Sequence, residues 1–501
     1  MSTSINPQNL PVAVIGAGPI GLAAAAHLLA RGETPVVFEA GSNVGAAIRE
    51  WGHVRLFSPW RYLVDREATA LLEPTGWQMP NPEDLPLGRD LVEEYLEPLA
   101  AHPEIAPTLR LHTEVLSISR RGHDKMKDAD RAEAPFVLRV RCPDGAEDEI
   151  LARAVVDASG TWRTPNPLGA SGVSALGESA ASDHVTYGIP DVLGTSRERY
   201  AGKNVLVVGS GHSAFNVLLD LAALPDTAIT WVVRRANAGQ LFGGEQNDAL
   251  PARGALGARA RALVDSGAVH LVSMRVARLQ SAPERLLVSG DDGETIGPFD
   301  EIIAATGFRP NLEITRELRL GLDTATEAPT ALAPLIDPNV HSCGTVPPHG
   351  ADELKHPEPN FFTVGMKSYG RAPTFLTLTG YEQVRSVVAA LVGDWESAWN
   401  VELVLPETGV CSTGAGTGGS CGSARDESTT ASLVSEAELL VAAPRSAPVL
   451  ARVGGGSDEL AVAQGTACCS AVAQTTCCEN SAKDACCGTT GTTTSSTCGC
   501  Q

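Results

Sequence analysis

The chain has 501 residues, enough for two or three domains, and an ordinary globular share of hydrophobic residues, 43%. Acidic residues outnumber basic ones, 59 to 38, and the net charge of −21 with no basic run excludes nucleic acid and anionic membrane as expected partners. No apolar run reaches the ~18–20 residues that span a bilayer. The polar stretch Met1–Leu10 leaves no room for a signal peptide before the first strand, so a cytoplasmic location with reduced thiols is expected.

Apolar strands alternate with helical patterns up to about residue 400, which is an α/β pattern. The first strand, Pro11–Ile15, runs into Gly16-Ala17-Gly18-Pro19-Ile20-Gly21 and a helix over Leu22–Ala30. This is G-x-G-x-x-G between a strand and a helix. Gly16 allows the tight turn, Gly18 lets the backbone approach a pyrophosphate, and Gly21 permits close helix–strand packing. The next strand, Pro35–Phe38, ends at Glu39, an acid suited to a ribose 2′-hydroxyl.

A helix is predicted over Arg89–Leu99. Asp157-Ala158-Ser159-Gly160 follows a short apolar strand and reads as a crossover between two nucleotide domains. A second fingerprint follows the strand Asn204–Val208: Gly209-Ser210-Gly211-His212-Ser213-Ala214, then a helix over Phe215–Leu224. Ala214 stands where the third glycine would be. The strand Ala228–Val233 ends in Arg234 and Arg235 rather than an acid. Two guanidinium groups suit the 2′-phosphate of NADPH; the alternative is a solvated strand end.

The return crossover is Ala304-Ala305-Thr306-Gly307-Phe308-Arg309-Pro310. His341, Cys343, His349 and His356 lie on the loop that follows; they form either a Cys/His cluster for a thiophilic substrate or a loop whose histidines only hydrogen-bond. Two such sites in one chain point to electron flow from a nicotinamide to a flavin; Pro359-Asn360-Phe361-Phe362-Thr363-Val364-Gly365 opens the closing flavin segment, and a helix over Leu378–Leu391 is expected to point its N-terminus at the flavin ring or pyrophosphate. The expected organisation is an FAD-binding domain (1–165, closed by 306–400), an inserted NADPH-binding domain (166–305), and a flexible Cys-rich tail (401–501).

The last aromatic residue is Trp399. Beyond it, Gly, Ser, Thr and Ala prevail, and such a stretch cannot bury enough apolar surface to offset its ordering entropy. It carries three vicinal pairs, Cys468–Cys469, Cys477–Cys478 and Cys486–Cys487, seven residues apart, then Cys498 and Cys500. Thiolates bind soft ions, and adjacent sulfurs can share one. Trivalent arsenic favours three sulfurs; zinc and cuprous copper are alternatives. A Gly/Ser-rich coil of ~60 residues spans roughly 45 Å, against a core radius of gyration near ~21 Å. Either substrate delivery to the core or plain storage is within reach.

With both loops, the Ala305-Thr306-Gly307-Phe308 linker and Pro82-Glu83-Asp84-Leu85-Pro86 in place, residues 1–395 resemble the flavin-containing monooxygenases. His184 and Tyr187 are similar, at altered spacing, to that family's fingerprint before the second loop. The resemblance implies FAD at the first loop and NADPH at the second. It also implies a flavin C4a-hydroperoxide that passes oxygen to a soft nucleophile, with no obligatory catalytic acid. Ser58, Trp60 and Cys343 are the candidates to line the flavin, Trp60 being equally suited to core packing, and Thr306, Gly307 and Gly365 are the candidates to contact cofactor.

The segment Trp51–Trp60, the loop His341–Thr345 and the cysteine pairs make the chain similar, more loosely, to flavoprotein monooxygenases found with arsenic-resistance genes. The expected substrate is then a trivalent arsenical, with molecular oxygen as co-substrate. Two rivals stand beside this reading. One is a flavin-dependent metal-ion or disulfide reductase with a thiol delivery arm, the other a metalloid-binding protein without turnover. Before Cys411 the chain has only Cys142 and Cys343, far apart, for a redox pair.

Overall fold

The computed structural model describes residues 9–234, 241–243, 250–282, 285–340, 346–373 and 375–403. Arg235, His341, Cys343 and every tail cysteine lie outside the described residues.

Two five-stranded, all-parallel sheets carry the fold, and they share one plan. In the first, the order is Phe361–Thr363, Ala154–Asp157, Val12–Ile15, Pro35–Phe38, Leu109–Arg110. In the second, it is Val185–Tyr187, Glu301–Ala304, Asn204–Val208, Ala228–Val233, Val269–Ser273. In each sheet the central strand precedes a glycine loop. Val12–Ile15 is buried at every position and Asn204–Val208 at all but its first. Buried faces on both sides explain why these strands are unbroken apolar runs rather than alternating ones.

Each sheet is accompanied by a three-stranded antiparallel meander inserted before its crossover strand. These are Glu114–Arg120, Phe136–Arg141 and Glu147–Ala152 in the first half, and Val276–Ala282, Arg285–Gly290 and Thr295–Phe299 in the second. The first meander packs through Ile118, Phe136 and Leu138 onto Ala13, Ile15 and Val155 of its sheet. On the other face of the first sheet the helices Pro19–Ala30 and Thr377–Leu391 bury Leu22, Leu28, Val384 and Val387 in one apolar core. The second sheet is covered by His212–Ala222 and Pro251–Asp265.

Two details differ from the sequence reading, and a third, the place of Trp60, is one that it leaves open. The helix expected at Phe215 starts at His212, because extended Gly211 serves as its N-cap and the glycine loop feeds it directly. The stretch expected as one helix over Arg89–Leu99 contains a π turn at Val92–Leu96. Pro98 lacks the N–H that the Glu94 carbonyl would accept, and the Trp77 indole N–H bonds that carbonyl instead, at 2.7 Å. Trp60 is 3% exposed and packs in the first core.

Candidate active site

Both glycine loops lie at the carboxyl ends of the central strands, where open parallel sheets receive their ligands. Gly16 has φ +96°, and a Cβ there would stand 2.8 Å from the Ala158 carbonyl oxygen. A Cβ on Gly21 would come within 1.8 Å of the Gly16 oxygen. Gly18 faces open space, with nothing within 4 Å of a notional Cβ. The helix behind it has no side-chain cap and no acid in its first turn. Its unbonded N–H groups and positive dipole end thus remain for an anion. Glu39 is drawn into the loop: its carboxylate accepts from Ala17 N–H at 2.9 Å and Gly41 N–H at 2.8 Å. Each oxygen keeps a lone pair for a ribose hydroxyl.

The second loop repeats the geometry. Gly209 has φ +135°, and a Cβ there would meet the Ala305 carbonyl oxygen at 2.1 Å. Gly211 faces open space, and its helix also lacks a cap and an early acid. Ala214 is fully buried, so a methyl is accommodated where the first loop needs Gly21. The Trp231 indole N–H donates to the Gly209 carbonyl at 2.6 Å and braces the turn from below. Arg234 is exposed at the end of its strand, free of the fold's interior and able to meet a phosphate.

The two crossovers run side by side. Asn166 N–H donates to the Gly307 carbonyl at 2.9 Å, its side-chain amide donates to the Thr306 carbonyl at 3.1 Å, and the Thr306 hydroxyl returns a bond to the Asn166 carbonyl at 2.5 Å. Thr306 and Gly307 therefore brace the crossover. The rings of Trp162 and Phe308 meet across it with centroids 4.6 Å apart.

A cavity of about 190 Å³ opens between the segment after the first loop and the second loop. Trp51, Leu56, Phe57 and Trp162 line one side; His212, Ser213 and Asn216, from the first turns of the second helix, line the other. Its lining is mainly apolar, and His212 lies between Phe57 and Phe215, with centroids 5.6 Å from each. His53, from the same segment, acts electrostatically on Asp191 and Asp220 of the second half. Burial raises the Asp220 carboxyl pKa and His53 opposes that shift.

Ser58 is 8% exposed and opens onto a smaller pocket with Tyr62, Leu376 and Thr377 at the start of the last long helix. Gly365, at φ +69°, packs against Ile20 in the first helical turn behind the first loop. Its N–H is held by Gln383 Oε1 at 2.7 Å. The same Gln383 amide reaches Ser368 Oγ and His349 Nε2, each at 2.9 Å. His349 Nδ1 faces the Pro347 carbonyl at 3.0 Å, so it donates there and Nε2 accepts. Burial lowers the pKa of this imidazole and keeps it neutral. His356 packs on Phe361, with both ring nitrogens buried. Burial depresses its pKa to about 4. The two described histidines of the expected Cys/His cluster are thus separately engaged. Among the described residues no group of three or more His, Cys, Asp or Glu is arranged to hold a metal ion.

His184 and Tyr187 serve the second half: His184 Nδ1 faces the Asp300 carbonyl, and the Tyr187 hydroxyl bonds Glu178. Cys142 lies on the first meander, packed beside Ile150 and the core of the first half. The sequence reading missed Lys367, whose ammonium meets Asp157 at 2.7 Å in a pair that is almost wholly buried.

Two parallel sheets, each delivering a glycine loop and an uncapped helix to its carboxyl edge, define a flavoprotein with two dinucleotide sites. The chain belongs to the pyridine nucleotide-disulphide oxidoreductase family, which it matches over residues 13–330. Its cofactors are FAD and NADPH, and the open glycine cradles and uncapped helices fit both. It is 32% identical over 217 residues to an indole-3-pyruvate monooxygenase of Oryza sativa subsp. japonica, covering 42% of this chain and 44% of that protein. It is 26% identical over 244 residues to a flavin-containing monooxygenase of Arabidopsis thaliana, covering 44% and 49%. The chain spans less than half the length of both relatives. In fold it is similar to a bacillithiol disulfide reductase from Bacillus cereus, with a TM-score of 0.57, 19% identity, and coverage of 77% of this chain and 99% of that one. No helix among the described residues is long and apolar enough to cross a membrane.

Proposed function

We propose that this protein is an FAD- and NADPH-dependent monooxygenase whose acceptor is a soft nucleophile, a trivalent arsenical, and that it acts in arsenic resistance. The observation that carries the oxygenase reading is the apolar, aromatic-walled cavity between the segment Trp51–Phe57 and the second nucleotide loop. Bound there, a small acceptor would be shielded from water beside both cofactors. NADPH-reduced FAD supplies the capacity to activate oxygen. The chain's own part is to anchor the two pyrophosphates on uncapped helix ends, to read the 2′-phosphate with Arg234 and Arg235, and to exclude water with Trp51, Phe57 and Trp162. Two electrons come from NADPH, one oxygen atom goes to the acceptor, and the other leaves as water.

The choice of arsenic rests on the tail. Three vicinal cysteine pairs with Cys498 and Cys500 suit a thiophilic metalloid, and trivalent arsenic has the lone pair that an electrophilic oxygen needs. On this reading the tail raises the local concentration of substrate. The protein with NADPH under air, with and without arsenite or methylarsenite, is expected to consume NADPH and oxygen together when the arsenical is present. NADPH loss without oxygen uptake would instead support a metal-ion or disulfide reductase. Thiol-dependent binding without turnover would support a metalloid-binding protein. Truncation after Val404 is expected to raise the arsenite concentration needed for half-maximal rate; an unchanged value defeats the delivery role.

A further inference from the structure

Asp157 ends the strand that pairs with the central strand of the first sheet, in register with Ile15 and with Thr363 of the closing strand. It thus stands at the carboxyl edge where the first dinucleotide is received. Its Oδ1 accepts from the Ser159 N–H at 3.1 Å and the Ser159 hydroxyl at 2.6 Å, which shapes the turn that follows. Its Oδ2 is 2.7 Å from Lys367 Nζ, and Lys367 also donates to Ser159 Oγ at 3.0 Å. The three groups close a triangle in which the Asp157 and Lys367 side chains are 0% and 2% exposed.

This triangle fixes a wall of the first loop, because the Ala158 carbonyl and Ser159 Cα are the atoms against which Gly16 packs. Lys367 itself lies on the turn Gly365–Tyr369, whose Gly365 touches Ile20 behind the loop. Asp157 therefore holds a carboxylate at the wall of the site for a ligand that is itself doubly anionic, and the turn sets the Lys367 ammonium against it. Like charges in a low-dielectric interior repel strongly, so a site built this way needs a cation there. His356 feels the Asp157 charge but is held neutral by burial, and the cation present is Lys367.

We infer that Lys367 is a positioning residue for FAD: it cancels the buried Asp157 charge at the wall of the first dinucleotide site so that the pyrophosphate can be seated there. The assignment rests on FAD occupying the first loop and is independent of the substrate.

The test uses the full chain. In Lys367→Met the dissociation constant for FAD, read by quenching of flavin fluorescence, is expected to rise at least about tenfold. The flavin midpoint potential should move to more negative values, while NADP⁺ affinity at the second loop stays unchanged. Lys367→Arg, which keeps the charge, should restore most of the affinity. The double variant Asp157→Asn/Lys367→Met removes both charges and covers the case in which the single variant fails to fold. If the double variant binds NADP⁺ normally and regains most of the parent's FAD affinity, the uncancelled Asp157 charge is what weakened the single variant and the inference stands. FAD affinity and potential like the parent in Lys367→Met overturn it. So does FAD binding that stays weak in the double variant while NADP⁺ binds normally, since Lys367 then acts otherwise than by cancelling the Asp157 charge. Loss of NADP⁺ binding in both variants also overturns it, because the pair then maintains the fold rather than the cofactor.

Discussion

The two glycine loops are near copies in backbone and opposites in chemistry. In each, a glycine at positive φ backs onto a crossover carbonyl, Ala158 in one and Ala305 in the other, and a second glycine faces open space. The strand after the first loop ends in Glu39, and the strand after the second ends in Arg234. Their walls differ more. The first is held by the buried charged triangle of Asp157, Ser159 and Lys367. The second is held by neutral bonds between Asn166 and Thr306. The backbone plan sets where a dinucleotide can lie, and the charges around it set which dinucleotide it is and how firmly the wall resists change.

The sharpest way to separate the two sites is to fill each turn. Gly16→Val adds a β-branched side chain where φ is +96° and the Ala158 oxygen is 2.8 Å from a Cβ. Strain and collision of this kind cost about 4 kcal/mol or more, so FAD affinity should fall by roughly a thousandfold. Gly209→Val should do the same to NADPH while the flavin spectrum is retained. Titration of each variant with both nucleotides checks this, and a variant that loses the wrong cofactor would reverse the assignment of the loops.

The walls should respond unequally. Breaking a buried ion pair by removing one partner costs about 3–5 kcal/mol, so Lys367→Met should lower the urea midpoint steeply. Thr306→Val removes one neutral hydrogen bond, worth about 1 kcal/mol, and should lower it slightly. Equal losses would break the contrast between a charged and a neutral wall.

Acid should act on the first half through His356. Burial holds its folded pKa near 4, below the ordinary value of 6.5. The unfolded chain therefore takes up a proton that the fold refuses. Stability is full above about pH 6.5, falls as pH drops toward about 4, and levels off below that, for a total near 3 kcal/mol. His356→Leu should flatten this part of the pH profile of the urea midpoint. A profile unchanged by the substitution would assign the loss to other groups.

The smallest effect is expected at the strand end. If Arg234 reads the 2′-phosphate as proposed, Arg234→Ala removes a charge-assisted bond worth about 1.5 kcal/mol, and the preference for NADPH over NADH should fall about tenfold in KM. An unchanged preference would remove Arg234 from the phosphate site.

Both fingerprints were legible because they are local: strand, glycine spacing, helix and charged strand end fall within about 30 residues in each case. The crossovers were legible as short motifs after apolar strands. Their bracing was not, because Asn166 and Thr306 are 140 residues apart. Trp60 shows the limit from the other side. An aromatic residue after Ser58-Pro59 suits a flavin pocket and a core equally, and only the packing of the first half places it in the core. His349 and His356 looked alike in sequence. One is hydrogen-bonded to Gln383 and the other packs against Phe361, because different neighbours are folded onto each.

The sequence by itself determined two dinucleotide sites, their order along the chain and the sign of the charge at each strand end. These follow from backbone rules that operate over a few residues: tight turns need glycine, strands buried on both faces need apolar side chains, and helix ends attract anions. The tertiary structure alone decided that Asp157 and Lys367, 210 residues apart, share one buried site, and that the two halves frame an aromatic-walled cavity. Pairing of that kind depends on which surfaces are brought together when the sheets and helices close over their cores, and no local pattern carries it.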